Sequence, residues 1–230
     1  TGDATVAGIV SSTGTLTKSG AGSWTLTGTN TYTGATTISV GTIKVGAATT
    51  VLGPVLNSVI TITGTLDLNG FNLAVGSITG AGSITSSVAG SPTFTVGANN
   101  TSTIFSGVIN DGSGTVSLIK NGTGALTFSG ANTYVGATTV SAGTLTMGNN
   151  GALGSASGAT TIALGAIVNL NGFTTAEPFT VSGSLVNNSG TATASGNIIL
   201  SSVAITLATK FFLLSKDSFI IPPNLKLVPI

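Results

Sequence analysis

The chain has 230 residues, of which 5% are charged, and its formal net charge is +1. Typical globular proteins carry roughly 25% charged residues, so this composition is unusual. Six lysines and no arginine form no basic patch, which argues against binding to nucleic acid or to anionic lipid. Cysteine is absent, which excludes disulfides and thiol chemistry. The length is sufficient for one large β-domain with a buried core.

The sequence contains no candidate membrane-spanning segment. A transmembrane helix needs about 18 or more consecutive apolar residues. The most apolar stretch, residues 208–223, is interrupted by Lys210, Lys216 and Asp217. The chain begins at Thr1 rather than at Met, which is typical of a processed chain or of a fragment of a longer protein.

Short runs with alternating apolar and polar residues follow one another along the chain, and each ends at Gly or Asn. This pattern predicts strands joined by tight turns. The runs are SWTLTG (23–28), ATTISVG (35–41), TIKVG (42–46), VITITGTLDLNG (59–70), ALTFSG (125–130), ATTVSAG (137–143), TLTMG (144–148) and TIALGAIVNLNG (161–172). Equivalent apolar positions recur about every twenty residues, as in solenoid repeats. No segment shows the 3.6-residue period of a helix.

A longer duplication overlies these short runs. Residues 16–46 and 118–148 are identical at 17 of 31 positions, and LDLNGF (66–71) returns 102 residues later as VNLNGF (168–173). The sequence therefore predicts a β-solenoid over residues 1–206, made of two copies at about 14–113 and 116–206. Residues 207–230 lie outside the repeat and are predicted to form a C-terminal cap or a docking segment.

A β-sandwich would also contain short strands with regular turns. Its hairpins would place Asn-Gly pairs between two equal strands. Here the pairs at Asn69 and Asn171 fall at strand ends inside a repeat, so a parallel β-helix explains the pattern better. We expect these two asparagines, together with Asn30 and Asn132, to serve in turns or in ladders between coils.

The duplicated segment resembles the autotransporter-associated β-strand repeat. The resemblance rests on the pattern L-x-K-x-G-x-G-x-L-x-L-x-G-x-N-x-Y-x-G-x-T-x-V-x-x-G-x-L, which begins at Leu16 in the first copy and at Leu118 in the second. Such repeats occur in the passenger regions of large bacterial surface proteins. The resemblance implies a right-handed parallel β-helix located outside the cell, and it implies no single binding activity.

The acidic residues do not form a catalytic pattern. They are Asp3, Asp67, Asp111, Glu177 and Asp217. Glycoside cleavage generally needs two carboxylates about 5 to 9 Å apart. Asp67 is the one acid in a strand-like run, and its equivalent in the second copy is Asn169, so we interpret it as a polar residue on the outer face of a coil. We predict no enzyme activity, no metal and no cofactor.

Lys18 and Lys120 occupy equivalent positions before a turn. One interpretation makes them ligand contacts repeated along the axis. The other makes them snorkelling side chains, which cover apolar surface and keep the charged head in water. We favour the second interpretation.

The C-terminal segment allows two interpretations. It is either a cap on the chain's own last coil or a joint that docks onto a neighbouring molecule. The candidate interface residues are Phe211, Phe212, Leu213, Leu214, Phe219, Ile220 and Ile221.

Low surface charge suits a polymer subunit better than a soluble monomer. The first hypothesis is therefore a secreted structural protein that assembles end to end with itself into a fibre or surface layer. The alternative is a monomeric adhesin or passenger fragment at the cell surface that binds glycans or host surfaces.

Overall fold

The computed structural model describes residues 2–47, 52–54 and 58–201, together with the backbone of three short strands in the C-terminal region. The described residues form strands, turns and loops, without helix. The strands are β1 (Ala4–Val6), β2 (Leu16–Lys18), β3 (Ser23–Leu26), β4 (Thr36–Ile38), β5 (Thr42–Val45), β6 (Val59–Ile62), β7 (Thr65–Asp67), β8 (Leu73–Val75), β9 (Ser77–Thr79), β10 (Ser83–Ser86), β11 (Thr93–Val96), β12 (Thr103–Phe105), β13 (Val108–Gly112), β14 (Ser117–Lys120), β15 (Ala125–Phe128), β16 (Thr138–Val140), β17 (Thr144–Met147), β18 (Thr160–Ile162), β19 (Ile167–Asn169), β20 (Phe179–Val181), β21 (Ser184–Asn187), β22 (Ala192–Ala194), β23 (Ile198–Leu200), β24 (Leu213–Ser215), β25 (Ser218–Ile221) and β26 (Leu225–Leu227).

The strands stack into three parallel faces of a β-solenoid. Among the described strands, face two ends at β13 and face three begins at β8, so three faces are present together only in the middle coils. Face one contains β2, β4, β6 and β9 and continues, across the bridge between Gly80 and Phe105, into β12, β15, β17, β19 and β21. Face two contains β1, β3, β5, β7, β10 and β13. Face three contains β8, β11, β14, β16, β18, β20 and β23. The predicted all-β parallel solenoid is confirmed.

The core is a set of apolar columns that run along the axis. On face two, Ile43, Leu66, Ile84 and Ile109 follow one another in register, and each is fully buried. A single coil offers its inward side chains no apolar layer above or below, so a coil buries them only against its neighbours. The regular in-register stack is therefore the source of stability.

The two sequence copies lie on different faces of the solenoid. Leu16 lies in β2 on face one, whereas its equivalent Leu118 lies in β14 on face three. From β2 the chain makes four coils and returns to face one at β12, then passes through face two (β13) to face three (β14). It is then one face short of a fifth coil. Equivalent side chains of the two copies consequently point in different directions around the axis.

Asn69 and Asn171 end the equivalent strands β7 and β19 in a left-handed turn. Their φ angles are 51° and 52°, a conformation that asparagine adopts more readily than most residues. Each side-chain amide donates to a carbonyl of the preceding coil, at Val45 and Met147 respectively. The two asparagines thus tie one coil to the next as well as turning the chain.

The last coils carry antiparallel strands on their edges. β26 pairs with β21, and the β24–β25 hairpin pairs with β22. Of the candidate interface residues, Leu213, Leu214 and 219–221 lie in these strands, whereas Phe211 and Phe212 lie outside the described residues. The described strands of the C-terminal segment therefore pair with the chain's own last coils.

Glycine at two consecutive turns allows the coils to approach closely. A Cβ at Gly64 would lie 2.5 Å from the carbonyl oxygen of Gly41, and a Cβ at Gly82 would meet the carbonyl oxygen of Gly64. Distances this short force the backbone to move, so these turns depend on the missing side chain.

We expect Gly82→Ala to lower the free energy of unfolding by about 2 kcal/mol or more, because coil spacing must change there. Gly20→Ala is the matched control, since a Cβ at Gly20 would meet no atom within 4 Å. Urea unfolding followed by circular dichroism measures both. Equal midpoints for the two variants would contradict the steric argument.

Candidate functional site

The carboxylates of Asp3 and Asp111, at face two, accept hydrogen bonds from backbone amides. Asp3 accepts hydrogen bonds from the amide and hydroxyl of Ser23 at 2.7 Å, and these bonds lower the pKa of Asp3. Asp111 accepts from the amides of Val116 (2.7 Å) and Val135 (3.0 Å). Acids engaged in this way stabilise turns and coil spacing, which is a structural use of the charge.

The interpretation of Asp67 as an outer-face residue is wrong. The residue is 2% exposed, and its Oδ1 accepts from the amides of Asn69 and Ser87, both at 2.8 Å. Its Oδ2 lies 3.7 Å from Nζ of Lys44. A short side chain that bonds to two turn amides is drawn under the turn, which explains the burial that alternation alone did not predict.

Lys120 places its ammonium group among backbone carbonyls. Nζ donates to the carbonyl oxygens of Asn121 (2.7 Å), Gly122 (2.9 Å) and Ala142 (3.1 Å), and the side chain is 1% exposed. Burial lowers the pKa of Lys120 to about 8, so the ammonium form still predominates at neutral pH. The three donors of the ammonium thus meet three acceptors from two successive coils.

Lys18 has a similar environment, in which one of the three contacts is of a different kind. Nζ donates to the carbonyls of Gly20 and Val40, the equivalents of two of the acceptors around Lys120. The third contact is the Trp24 ring, whose centroid lies 5.4 Å from Nζ. A cation–π contact in the first copy therefore takes the place of a carbonyl in the second.

Both lysines contradict the snorkelling interpretation. Their head groups are buried and hydrogen-bonded rather than hydrated, because the turn after each strand directs its carbonyls at the ammonium. The alternative interpretation also fails, since Lys18 lies on face one and Lys120 on face three. The two residues form no common column along the axis.

Asn30 and Asn132 lie buried between coils. The Oδ1 atom of Asn30 accepts from the amide of Val10 at 2.8 Å, twenty residues earlier. Asn132 accepts from the amide of Ile109 at 2.8 Å and donates to the carbonyl of Ala152 at 2.6 Å. Asn132 therefore links three successive coils through one side chain.

A shallow groove runs along the corner between faces one and two. It has a volume of about 560 Å³ and contains no charged residue. It is lined by Ser39, Val40, Gly41, Thr42, Thr63, Gly64, Thr65, Ala81, Gly82, Ser83 and Val108. Thr42, Thr65 and Ser83 lie in register on three adjacent strands, so their hydroxyls form a column parallel to the axis.

Sequence reasoning missed this hydroxyl column. The signal was present as a recurring dipeptide, glycine followed by Ser or Thr, at residues 22–23, 41–42, 64–65 and 82–83. Each glycine makes the corner and each hydroxyl residue opens the next strand. The spacing between the dipeptides varies, however, and only coil pairing shows that they align.

Two negative findings concern the described residues. Within them, no three His, Cys, Asp or Glu side chains come close enough to hold a metal ion. In that same part of the chain, no helix is long and apolar enough to cross a membrane.

Comparison with known proteins agrees with the geometry. Residues 16–45 and 118–147 match the family model of the passenger-associated-transport-repeat. Two segments of the chain are thus similar to this passenger repeat. The resemblance predicted from the sequence and the secreted, cell-surface location are both confirmed.

A curated relative contains a related segment. The Adhesin BmaC autotransporter of Brucella suis biovar 1 (strain 1330) is 38% identical over 96 residues, which is 42% of this chain. The matched segment makes up 3% of the length of that relative. No solved structure matches the chain.

We expect Lys120→Met to lower the free energy of unfolding by about 2 kcal/mol or more, because carbonyls aimed at the ammonium lose their donor. Lys44→Met is the control, since Lys44 is a partly exposed lysine whose ion pair should contribute at most about 1 kcal/mol. Urea unfolding of both variants provides the measurement. A smaller loss for Lys120→Met than for Lys44→Met would contradict the structural role of the carbonyl cage.

Proposed function

We propose that this chain is a segment of a surface adhesin passenger that acts as a monomeric rod and binds glycans through its sides. The carrying observation is the uncharged, hydroxyl-lined groove at the corner of faces one and two. The two passenger repeats and the similarity to a protein named as an adhesin support the same proposal.

Assembly into a fibre, the first hypothesis from the sequence, gains no support from these relatives. The described C-terminal strands also favour the rod, because β24–β26 run antiparallel on the edges of the chain's own last coils. A further molecule added in the parallel solenoid register would compete with these strands for the same backbone groups. The sides of this solenoid, by contrast, are not covered by these strands and can contact a ligand.

The groove suits a neutral oligosaccharide better than an ionic ligand. Thr42, Thr65 and Ser83 offer hydroxyls about 4.8 Å apart along the axis, the spacing of neighbouring strands. Sugar hydroxyls form hydrogen bonds with such groups. A charged ligand would find no counter-ion in the groove.

We also propose a non-catalytic role, because the carboxylates of three acidic residues are engaged in structural hydrogen bonds. Asp3, Asp67 and Asp111 are each committed to backbone amides. Carboxylate oxygens engaged in this way have a structural use.

We expect the purified chain to sediment as a single rod at neutral pH. The nine strands of face one span about 40 Å at the usual strand spacing. Analytical ultracentrifugation and negative-stain electron microscopy measure this together. Concentration-dependent fibres would contradict the proposal and restore the polymer hypothesis.

We expect the chain to bind neutral oligosaccharides on a printed glycan array. We expect Thr65→Glu to weaken that binding about tenfold or more, because a carboxylate in the groove must lose water when the sugar binds. Thr161→Glu is the matched control, since Thr161 is an exposed outward threonine on face three. Unchanged melting temperatures confirm folding of both variants. Equal weakening by both substitutions would exclude the groove, and absence of binding by the unaltered chain would exclude the glycan proposal.

A further inference from the structure

Glu177 carries a carboxyl group inside the solenoid. The residue is 1% exposed and precedes β20 on face three. Its Oε1 accepts a hydrogen bond from the hydroxyl of Thr160 at 3.1 Å, whereas its Oε2 is buried without a hydrogen-bond partner. An ionised carboxylate has about four acceptor sites, so this environment supports the charge poorly.

The groups around this carboxyl are neutral. Tyr134 is the ionisable residue that faces it, and the Tyr134 hydroxyl is bonded to Thr138 at 2.7 Å. Burial raises the pKa of Tyr134, so this side chain stays uncharged at neutral pH. On β18, the strand that pairs with β20, Thr160 offers the carboxyl of Glu177 only a neutral hydroxyl.

Among the described side chains, the lysine of this face does not compensate the charge of Glu177. Lys120, on β14 of the same face, directs its ammonium to backbone carbonyls. Lys226 lies in β26, which pairs with β21 on another face. Among the described side chains, therefore, no cation neutralises an ionised Glu177.

The pair formed by Glu177 and Thr160 is specific to the second copy. Strand β4 carries Thr36, as β16 carries Thr138, but the next strand has Ile60 where the second copy has Thr160. Strand β20 corresponds to β9 of the first copy, because Phe179 pairs with Thr160 as Ile78 pairs with Ile60. Gly76 therefore stands in the first copy where the second copy has Glu177. The first copy thus provides an internal reference that lacks the carboxyl.

Glu177 also lies where the last coils join. The carbonyl group of Glu177 is in contact with the turn at Gly196, and Thr175 bridges to Ala194. Phe179, two residues later, pairs with Ile198 in β23. A change at Glu177 therefore acts directly on the packing of β20, β22 and β23.

We propose that Glu177 is a pH-sensitive latch: in its protonated form it keeps the coils from residue 160 to 200 closed, and in its ionised form it loosens them.

The pKa of Glu177 sets the direction of this effect and the pH range in which it occurs. Burial raises the pKa of Glu177 from 4.5 to about 7, and the bond from Thr160 opposes that rise. The folded pKa lies above the unfolded one, so the folded coils hold the proton more tightly than the open ones. The stabilisation is complete below about pH 4.5 and is lost as the pH rises to about 7.

Hydrogen exchange measured by mass spectrometry at pH 5 and pH 8, corrected for intrinsic chemical rates, tests the latch on the full chain. We expect the opening equilibrium of peptides from 160–200 to be roughly 50-fold or more larger at pH 8. Peptides from residues 23–45, in the first copy, are the internal control and should not change. Equal changes in both regions, or no change in either, would overturn the proposal.

Two variants separate the latch from general pH effects. Glu177→Gln removes the titrating group, so the difference between the two pH values should disappear in 160–200. Thr160→Val removes the bond that opposes the pKa rise, so the opening transition should move to higher pH. The latch is refuted if Glu177→Gln keeps the pH dependence of the unaltered chain. If Glu177→Gln does not fold, the latch is refuted by a Thr160→Val variant whose opening transition stays at the same pH.

Discussion

The whole structure depends on parallel backbone pairing between successive coils. Each coil has an inward layer too small to stand alone, and pairing in register places every layer against the next. The columns of Ile, Leu, Val and Phe, the close glycine turns and the asparagine links all follow from that one spacing. A protein built in this way needs little surface charge, because its stability comes from neighbours along the axis.

The three-face geometry limits how the repeat can be used for binding. Two passenger repeats separated by 102 residues lie one face apart, so they cannot offer one ligand two identical contacts in a line. What does align is the hydroxyl column along consecutive strands of face two. The binding that we propose for the sides of the rod would therefore use the coil period rather than the longer duplication.

The solenoid interior treats its two kinds of buried charge differently. Lys120 is surrounded by carbonyl oxygens that the turns direct at it, so its burial is compensated. Glu177 meets one hydroxyl and no cation among the described side chains, so its burial favours the neutral form. Asp67 is buried too, but two turn amides and Lys44 compensate its carboxylate, and Glu177 has no such partners among the described residues.

The sequence was sufficient to predict the fold class, because alternating residues, glycine corners and a twenty-residue period are local properties. It was also sufficient to predict the passenger repeats, through the residues that begin at Leu16 and Leu118. The direction of the polar side chains became clear only once the coils were paired: Asp67, Lys18 and Lys120 all lie inside. Their burial depends on amides and carbonyls from adjacent turns and coils, some twenty residues away, and alternation along one strand carries no information about such partners. The alignment of Thr42, Thr65 and Ser83 was decided in the same way, because unequal coil lengths hide it until the strands pair.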